Sequence, residues 1–196
     1  PNIIGDSQLK PTTNNYFSLS ANTIKAKNNL SADVFYNKVS DMIGTRYLTN
    51  NEGDQILQFE NYQSVILKGL NCHYERVLSN RDKVKFFYNY TDPQSSSQEA
   101  LELISKHSMR FYFNKFISEK IQLASSIKYS SSKNAYIETG NETKIFELEE
   151  YVMIDLIGIV NLSDFIKLKL GCKNMLNYKD GRRFLDEYSD VLATYD

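Results

Sequence analysis

Tryptophan is missing from this 196-residue sequence, and only two cysteines are present. Cys72 and Cys172 lie far apart on different predicted strands, which a simple meander would not place side by side. We therefore expect two small strand residues in apolar surroundings rather than a disulfide. The sequence also has no Cys-x-x-Cys pair and no metal-ligand spacing, which argues against a redox motif or a structural metal site.

Long apolar runs and a strong charge of either sign are absent as well. No segment approaches the roughly 18–20 apolar residues of a membrane-spanning helix. The formal net charge is −1, so nothing in the composition indicates nucleic acid or the steering of a highly charged partner. No signal peptide is visible and the first residue is Pro1, so we expect a piece of a longer protein.

The sequence is rich in aromatic residues that favour strands, with 14 tyrosines and 11 phenylalanines. Its clearest pattern lies in residues 151–180, where Leu168 and Leu170 alternate with Lys167 and Lys169. A period of two places an apolar row on one face of a strand and a cationic row on the other. A polar break separates two apolar runs here, so we predict an antiparallel hairpin with a short turn.

The same alternation recurs upstream and predicts further strands of one meander. The predicted strands cover residues 15–25, 30–48, 55–77, 83–91, 108–116, 121–130 and the two runs of the 151–180 hairpin. Short turns at 26–29, 78–82, 117–120 and 161–164 alternate with longer loops at 49–54, 92–106, 131–149 and from 176 onward. Residues 98–105 form the one helix-like stretch, and Gly69 marks a bulge or a point of close approach.

This rhythm of connections predicts an all-β fold, an antiparallel up-and-down meander of about eight strands. Short turns at one end and long loops at the other are typical of outer-membrane barrels, whose strands need about ten residues to cross the bilayer. Six tyrosines fall toward the long-loop end, where such barrels carry an aromatic girdle. They are Tyr88, Tyr90, Tyr129, Tyr136, Tyr151 and Tyr178.

Alternation alone leaves two alternatives to an open barrel segment. A soluble ligand-binding β-barrel or sandwich also has one apolar and one polar face, and a small complete outer-membrane barrel would show the same pattern. The predicted apolar row contains Val84, Phe86, Phe111, Phe113, Leu123, Ile127, Leu168 and Leu170. The predicted polar row contains Lys85, Asn89, Arg110, Asn114, Gln122, Ser126, Lys128, Lys167 and Lys169.

Four short motifs resemble the barrel of TonB-dependent outer-membrane receptors. The 151–180 hairpin is similar to their penultimate hairpin, whose second strand ends in Gly-x-x-Asn-Leu-Phe-Asn; here the segment reads GCKNMLN from Gly171. Residues 9–16 are similar to the family's Leu-Lys-Pro-Glu-x-x-x-x-Tyr, with Thr12 in place of Glu and three residues instead of four before Tyr16. Residues 31–43 resemble its Phe-x-Asn-x-x-x-Asp-x-Ile strand. Residues 68–71 match Lys-Gly-Leu-Glu except at their last position, which is Asn.

The resemblance implies a C-terminal portion of a receptor barrel, about eight of some 22 strands. Residues 1–196 would form a single barrel segment, with the plug domain and the closing strand absent. The implied partners are outer-membrane lipid, a scarce small-molecule nutrient (an iron chelate, haem, cobalamin or a glycan) and TonB, reached through the missing N-terminal part. The implied location is the outer membrane of a Gram-negative-type bacterium. No nucleic acid, cofactor or enzyme activity is implied.

The resemblance places ligand contacts in the outer loops, here about 43–57, 92–107, 131–150 and 177–196. The candidates for holding an anionic ligand are Arg46, Tyr47, Arg182 and Arg183. Loop arginines are more often solvated than ligand-bound, so no ligand-binding residue is assigned.

Catalytic and metal sites have little support in the sequence. His73 and His107 lie on or beside predicted strands, with no Ser or Cys elbow and no carboxylate pair at a defined spacing. Glu147, Glu149 and Glu150 form an acidic cluster that fits a solvated loop better than a calcium site. No glycine-rich phosphate-binding loop occurs. We therefore assign neither catalytic nor metal-binding residues.

Overall fold

The computed structural model describes residues 2–49, 55–79, 81–95, 101, 103–139 and 142–179. These residues form eleven β-strands. The strands are β1 (Asn2–Ile4), β2 (Thr13–Lys25), β3 (Asn28–Thr49), β4 (Gln55–Val77), β5 (Lys83–Ser95), β6 (His107–Phe116), β7 (Ile121–Ser130), β8 (Lys133–Thr139), β9 (Glu142–Leu148), β10 (Tyr151–Asn161) and β11 (Lys167–Cys172).

Eight of these strands form the predicted antiparallel meander. The order across the sheet is β2-β3-β4-β5-β6-β7-β10-β11, and every neighbouring pair in it is antiparallel. Strand β1 adds to the outer part of β4 in parallel, while β8 and β9 pair with each other in a separate two-stranded sheet. The predicted fold class is therefore confirmed, with the β8–β9 hairpin inserted between two neighbours of the meander.

Strands β4 and β7 have the predicted bounds, but β5 is longer than predicted. Its last residues continue to pair with β4, and Pro93 lies opposite Leu67. The predicted loop is therefore wrong for residues 92–95. A proline is tolerated at this point because the described pairing of β6 with β5 ends at Tyr90, so Pro93 faces no β6 partner. The long neighbouring strand supplies hydrogen bonds that override the local turn tendency.

The loop predicted at 131–149 is also wrong, because this segment contains the β8–β9 hairpin. Its small core joins Ala135 and Leu148, both buried, to Phe146 and Leu103. The helical turn predicted at 98–105 is confirmed at Leu101, which lies in a 3₁₀ turn and accepts from the N–H of Ile104 at 3.4 Å. It does not continue, because Leu103 has a left-handed φ of 60° and its N–H donates to the carbonyl of Asn134 at 2.9 Å. Residues 98–100 and 102 lie outside the described residues.

Strands β3 and β4 are 22 and 23 residues long and pair along their described length. At about 3.3 Å per residue they reach some 75 Å. They are about twice as long as the strand of ~10 residues that crosses a bilayer at a tilt. Strand β2 stops pairing at Ser40, so the outer half of this hairpin rises above the rest of the sheet. Of the loop predicted at 49–54, Thr49 still belongs to β3, and residues 50–54 lie outside the described residues.

The sheet has two faces of opposite character, because directly paired residues point to the same side. We call them the apolar face and the polar face. One row of the apolar face contains Leu30, Tyr74, Phe86, Phe111, Ile127 and Ile154. The adjacent row of the polar face contains Asn29, Glu75, Lys85, Tyr112, Ser126 and Asp155.

No second layer covers the apolar face in the described part of the chain. Phe111 is 38% exposed and Leu170 is 66% exposed. The buried apolar residues among those described are Val65, Ala135 and Leu148, and the last two belong to the inserted hairpin. A soluble sandwich or filled barrel would bury this face against its own core. Cys72 and Cys172 are both unpaired, as predicted.

Three short turns at one end of the sheet share one hydrogen-bonded form. In each, the first residue donates its N–H to the carbonyl of the fifth at 2.9 Å. The hydroxyl of the serine at the second position accepts from the N–H of the fifth at 3.1–3.2 Å. The turns are Leu78–Asp82, Ile117–Ile121 and Leu162–Ile166. The last falls slightly later than the predicted 161–164.

Hydrogen bonds also join each short turn to its neighbour. The N–H of Val77 donates to the carbonyl of Lys27 at 2.9 Å, and that of Asn161 donates to the carbonyl of Lys120 at 2.8 Å. Asp82 accepts from the N–H of Phe116 at 2.8 Å. This end of the sheet is therefore a continuous hydrogen-bonded rim.

Candidate functional site

The polar face carries a concave patch of about 490 Å³ on the middle of the sheet. Strands β5 and β6 supply its lining, because every second residue of each strand points to this face. The lining residues are Lys85, Phe87, Asn89, Ser108, Arg110, Tyr112 and Asn114. Cationic, amide and aromatic groups thus share one open surface.

A ladder of side-chain hydrogen bonds crosses four strands at one border of the patch. Asn71 donates to Asp33 Oδ1 at 2.5 Å, and Asn89 donates to Asn71 Oδ1 at 2.6 Å. The hydroxyl of Ser108 donates to Asn89 Oδ1 at 3.4 Å. Because each amide both donates and accepts, the ladder fixes these side chains along the register of the strands.

The carboxylates nearest to the patch already have partners. Glu75 lies 3.0 Å from Lys85 Nζ and 3.7 Å from Lys83 Nζ. Asp155 accepts from the hydroxyl of Ser126 at 3.2 Å and from the N–H of Asn174 at 2.9 Å. Neither acid forms an ion pair with the other cations of this face among the described residues.

One row beside Glu75 combines aromatic and cationic groups. His73 pairs with Phe87, Phe87 with Arg110, and Arg110 with Lys128. The His73 and Phe87 rings stack with centroids 4.4 Å apart and planes 12° apart. Because Arg110 and Lys128 are direct cross-strand partners, two positive charges lie side by side on the polar face. We call these four residues the cationic row.

Two tyrosines lie at the end of the cationic row. Tyr151 and Tyr178 stack with centroids 4.3 Å apart, and Lys128 Nζ lies 5.2 Å from the centre of the Tyr151 ring. Asn174, with a φ of 51°, holds this segment in place. Its amide donates to the carbonyl of Tyr178 and accepts from the N–H of Tyr178, both at 2.8 Å.

This stack corrects part of the predicted aromatic girdle. Tyr88 and Tyr129 lie in one register row of the apolar face, as a girdle requires. Tyr151 pairs with Ser130, which places it on the polar face, and Tyr178 stacks on it there. The side chain of Tyr136 lies outside the described residues. The prediction used only the position of each tyrosine along its strand. It did not consider to which face of the sheet the ring points.

The predicted anion-binding candidates stay a prediction, because none of their side chains is among the described residues. Arg46 and Tyr47 lie on β3 with only their backbone described, and Arg182 and Arg183 lie outside the described residues. Arg110 and Lys128 were visible in the sequence only as members of a polar row. Their direct pairing depends on the register of β6 against β7, which single-strand alternation does not provide.

The described residues contain no arrangement suited to catalysis or to a resident metal. His73 lies on β4, whereas the Nδ1 atom of His107 lies 3.0 Å from the hydroxyl of Tyr88 on the apolar side. Glu150 accepts from the hydroxyl of Tyr129 at 2.6 Å. No group of three or more potential metal ligands occurs in the described ranges. Within them, no helix is long and apolar enough to cross a membrane.

The comparisons with known proteins agree with this architecture. A family model described as "TonB dependent receptor-like, beta-barrel" matches residues 1–175. Among solved structures, the ferric enterobactin receptor PfeA of Pseudomonas aeruginosa is 17% identical, with a TM-score of 0.67 over 87% of this chain. The siderophore receptor PirA of Acinetobacter baumannii is also 17% identical, with a TM-score of 0.69 over 89%.

The copper transporter OprC is 16% identical, with a TM-score of 0.69 over 89% of this chain. The chain spans only 26–29% of the length of these three structures. No curated protein matches the sequence. At these identities the structural likeness establishes the fold, and the family model establishes the family.

Proposed function

The chain belongs to the TonB-dependent receptor β-barrel family, and from that membership we propose that it forms part of an outer-membrane receptor that takes up a scarce nutrient. In this proposal the eight-stranded sheet is a segment of the barrel wall. The parent protein would span the outer membrane of a Gram-negative-type bacterium many times. Energy would come from TonB through segments outside these 196 residues.

The observation that carries the proposal is the uncovered apolar face. A sheet that leaves Phe111 and Ile127 more than a third exposed along a continuous apolar row needs an apolar environment. Lipid supplies it for a membrane barrel, whose strands alternate apolar-out and polar-in. The polar face, with its amide ladder and cations, suits a water-filled lumen. Polar side chains are costly in lipid unless they reach water or a partner.

We propose that the cargo is a small-molecule nutrient such as an iron chelate, haem, cobalamin or a glycan. Two of the similar solved structures are named for siderophore or enterobactin uptake and one for copper. Their low identity does not transfer those ligands to this chain. The proposal also holds that the chain has no catalytic activity, which agrees with the receptor and transporter names of its structural neighbours.

Uptake by the source bacterium tests the function. Deletion of the gene for the full-length parent should reduce uptake of one radiolabelled nutrient of these classes to background, and a plasmid copy should restore it. A protonophore should reduce uptake to the same level, because TonB-dependent transport uses the proton gradient across the inner membrane. Normal uptake of every such nutrient by the deletion strain would contradict the proposal. So would restored uptake that resists the protonophore.

A further inference from the structure

The cationic row breaks a rule of sheet stability, because like charges directly opposite each other on one face destabilise a strand pair. Arg110 on β6 and Lys128 on β7 are direct partners. Neither side chain forms an ion pair or a hydrogen bond with any residue that the structure describes. Lys85, in the adjacent row, shows the usual solution: Glu75 lies 3.0 Å away on the neighbouring strand.

Along the row, the direct partners of this charge pair are Phe87 on one side and Met153 on the other, and neither is acidic. On one side Phe87 pairs with Arg110 and stacks on His73, whose Nε2 is buried with no hydrogen-bond partner. On the other side Lys128 lies over the Tyr151 ring. A cation over an aromatic face is partly stabilised, but the ring carries no net charge. No ion pair with a residue that the structure describes therefore compensates the positive charge of the row.

We propose that Arg110 and Lys128 form a binding site for an oxyanion on the polar face. Such an anion would be a carboxylate, phosphate or phenolate group. The guanidinium of Arg110 presents a planar fork that matches two oxygens of such a group, and Lys128 adds a point charge. The open concave patch gives access from the lumen side. Local rules of sheet design tend to be broken at functional sites.

The aromatic neighbours restrict the ligand further. Phe87 and His73 on one side, and Tyr151 and Tyr178 on the other, offer flat apolar surfaces next to the charges. A flat or ring-bearing anion could therefore contact a ring while its oxygens bind the cations. The inference rests on the proposed function, because it requires the polar face to line a passage. If the oxyanion belongs to the nutrient, the inference narrows the nutrient to an anionic one.

The same oxyanion chemistry has two possible sources. One is the nutrient or a fragment of it. The other is an Asp or Glu side chain of the parent protein from a segment outside this chain. Both would neutralise Arg110 and Lys128, but only the first leaves the site open to an added anion. The experiment therefore needs one measurement of binding and one of stability.

The test uses the full-length parent in detergent micelles, with radiolabelled citrate and inorganic phosphate as probes. Single variants Arg110→Gln and Lys128→Gln and the double variant are compared with Lys167→Gln. Lys167 is an exposed cation of the same face outside the cationic row. If the nutrient is the source, we expect each single change to weaken probe binding about tenfold and the double change to abolish it. The control should change binding less than about twofold, since it removes no contact to the bound anion.

If a carboxylate of the parent fills the site, wild-type protein will bind neither probe. Arg110→Gln and Lys128→Gln will then each lower the thermal unfolding temperature, while Lys167→Gln will not. Arg110→Lys keeps the charge but loses the planar fork, so its probe binding, or its unfolding temperature, should lie between those of the wild type and of Arg110→Gln.

The inference would be overturned if the double variant changed neither probe binding nor the thermal unfolding temperature more than Lys167→Gln does. If that result came with nutrient uptake that requires the parent, only the oxyanion site would fall and the proposed function would stand. If the parent supported no uptake at all, the proposed function would fall independently of probe binding.

Discussion

The two faces of the same eight strands are stabilised by different means. On the polar face, side chains hold one another: the Asp33–Asn71–Asn89–Ser108 ladder and the Glu75 ion pairs run across neighbouring strands. On the apolar face, Phe, Ile and Leu residues are direct cross-strand partners, and no second layer covers them in the described part of the chain. Most polar side chains named on the polar face have partners within the protein, with Arg110 and Lys128 as exceptions, whereas the apolar face depends on its surroundings. The two faces of this sheet therefore suit two different environments, one apolar and one aqueous.

The largest difference between the two faces is expected when the same charge is placed on each of them at adjacent positions of β7. Ile127 lies on the apolar face opposite Phe111, and Ser126 lies on the polar face opposite Asp155. We expect Ile127→Arg to lower the free energy of unfolding in lipid by about 2–4 kcal/mol, because arginine near the bilayer midplane is costly. Ser126→Arg should cost less than about 1 kcal/mol, because its charge reaches water and Asp155.

The measurement is reversible urea unfolding of the full-length parent in lipid vesicles, followed by tyrosine fluorescence. Equal losses from the two variants would mean that both faces meet the same environment. The distinction between them would then be wrong.

A second test compares one glycine from each face. A Cβ added at Gly69, on the polar face, would lie 1.9 Å from the backbone oxygen of Tyr90 and 3.0 Å from the ring of Phe35. Gly69 is thus the predicted point of close approach. At Gly158, on the apolar face, the nearest atom would be 3.8 Å away. We expect Gly69→Ala to destabilise the parent by about 1–3 kcal/mol, since backbone must move.

Gly158→Ala provides the matched control and should change stability by less than about 0.5 kcal/mol. The same unfolding assay measures both variants. A neutral Gly69→Ala would show that β4 and β5 can separate at this point, contrary to the close contact in the structure.

The smallest expected effect on stability comes from Asp82, at the short-turn end of the sheet, and its partner Lys115 on the apolar face. Asp82 Oδ2 binds Lys115 Nζ at 2.7 Å, and Oδ1 accepts from the N–H of Phe116. The Lys115 ammonium first, and the Phe116 N–H second, lower the pKa of Asp82. A lowered pKa in the folded state stabilises it above about pH 4, and this stabilisation is lost as the pH falls through that pKa.

We therefore expect Asp82→Asn to lower the urea midpoint of the parent modestly at pH 7, and to differ less from wild type at pH 3. The comparison of the two proteins at each pH removes the effect of other carboxylates. A difference that is the same at both pH values would show that the Asp82 charge does not contribute to the rim.

The sequence predicts the short-turn end better than the long-loop end, for a physical reason. In Ile117–Ile121 and Leu162–Ile166 the hydroxyl of the second residue caps the turn locally. Such turns are encoded by a few neighbouring residues, so their positions are readable from the sequence. Alternation likewise locates β4 and β7, whose bounds are as predicted.

At the other end, distant partners decide the structure. Residues 92–95 remain extended because β4 continues beside them, and the polar β8–β9 segment folds on itself around Ala135 and Leu148. These contacts join residues too far apart in the sequence to be recognised from a pattern of about ten neighbouring residues. The same limit applies to the candidate site: Arg110 and Lys128 belong to the predicted polar row, but only the register makes them neighbours.

The most direct test of these two environments measures the accessibility of single spin labels on adjacent residues of the full-length parent in bilayers. Labels at Phe86, Leu123 and Leu168 report the apolar face, and labels at Lys85, Gln122 and Lys167 report the polar face. We predict frequent collisions with oxygen at the first set and with a water-soluble nickel chelate at the second. Shielding of the first set from both reagents would reveal a protein core behind the apolar face and would contradict the membrane-barrel account.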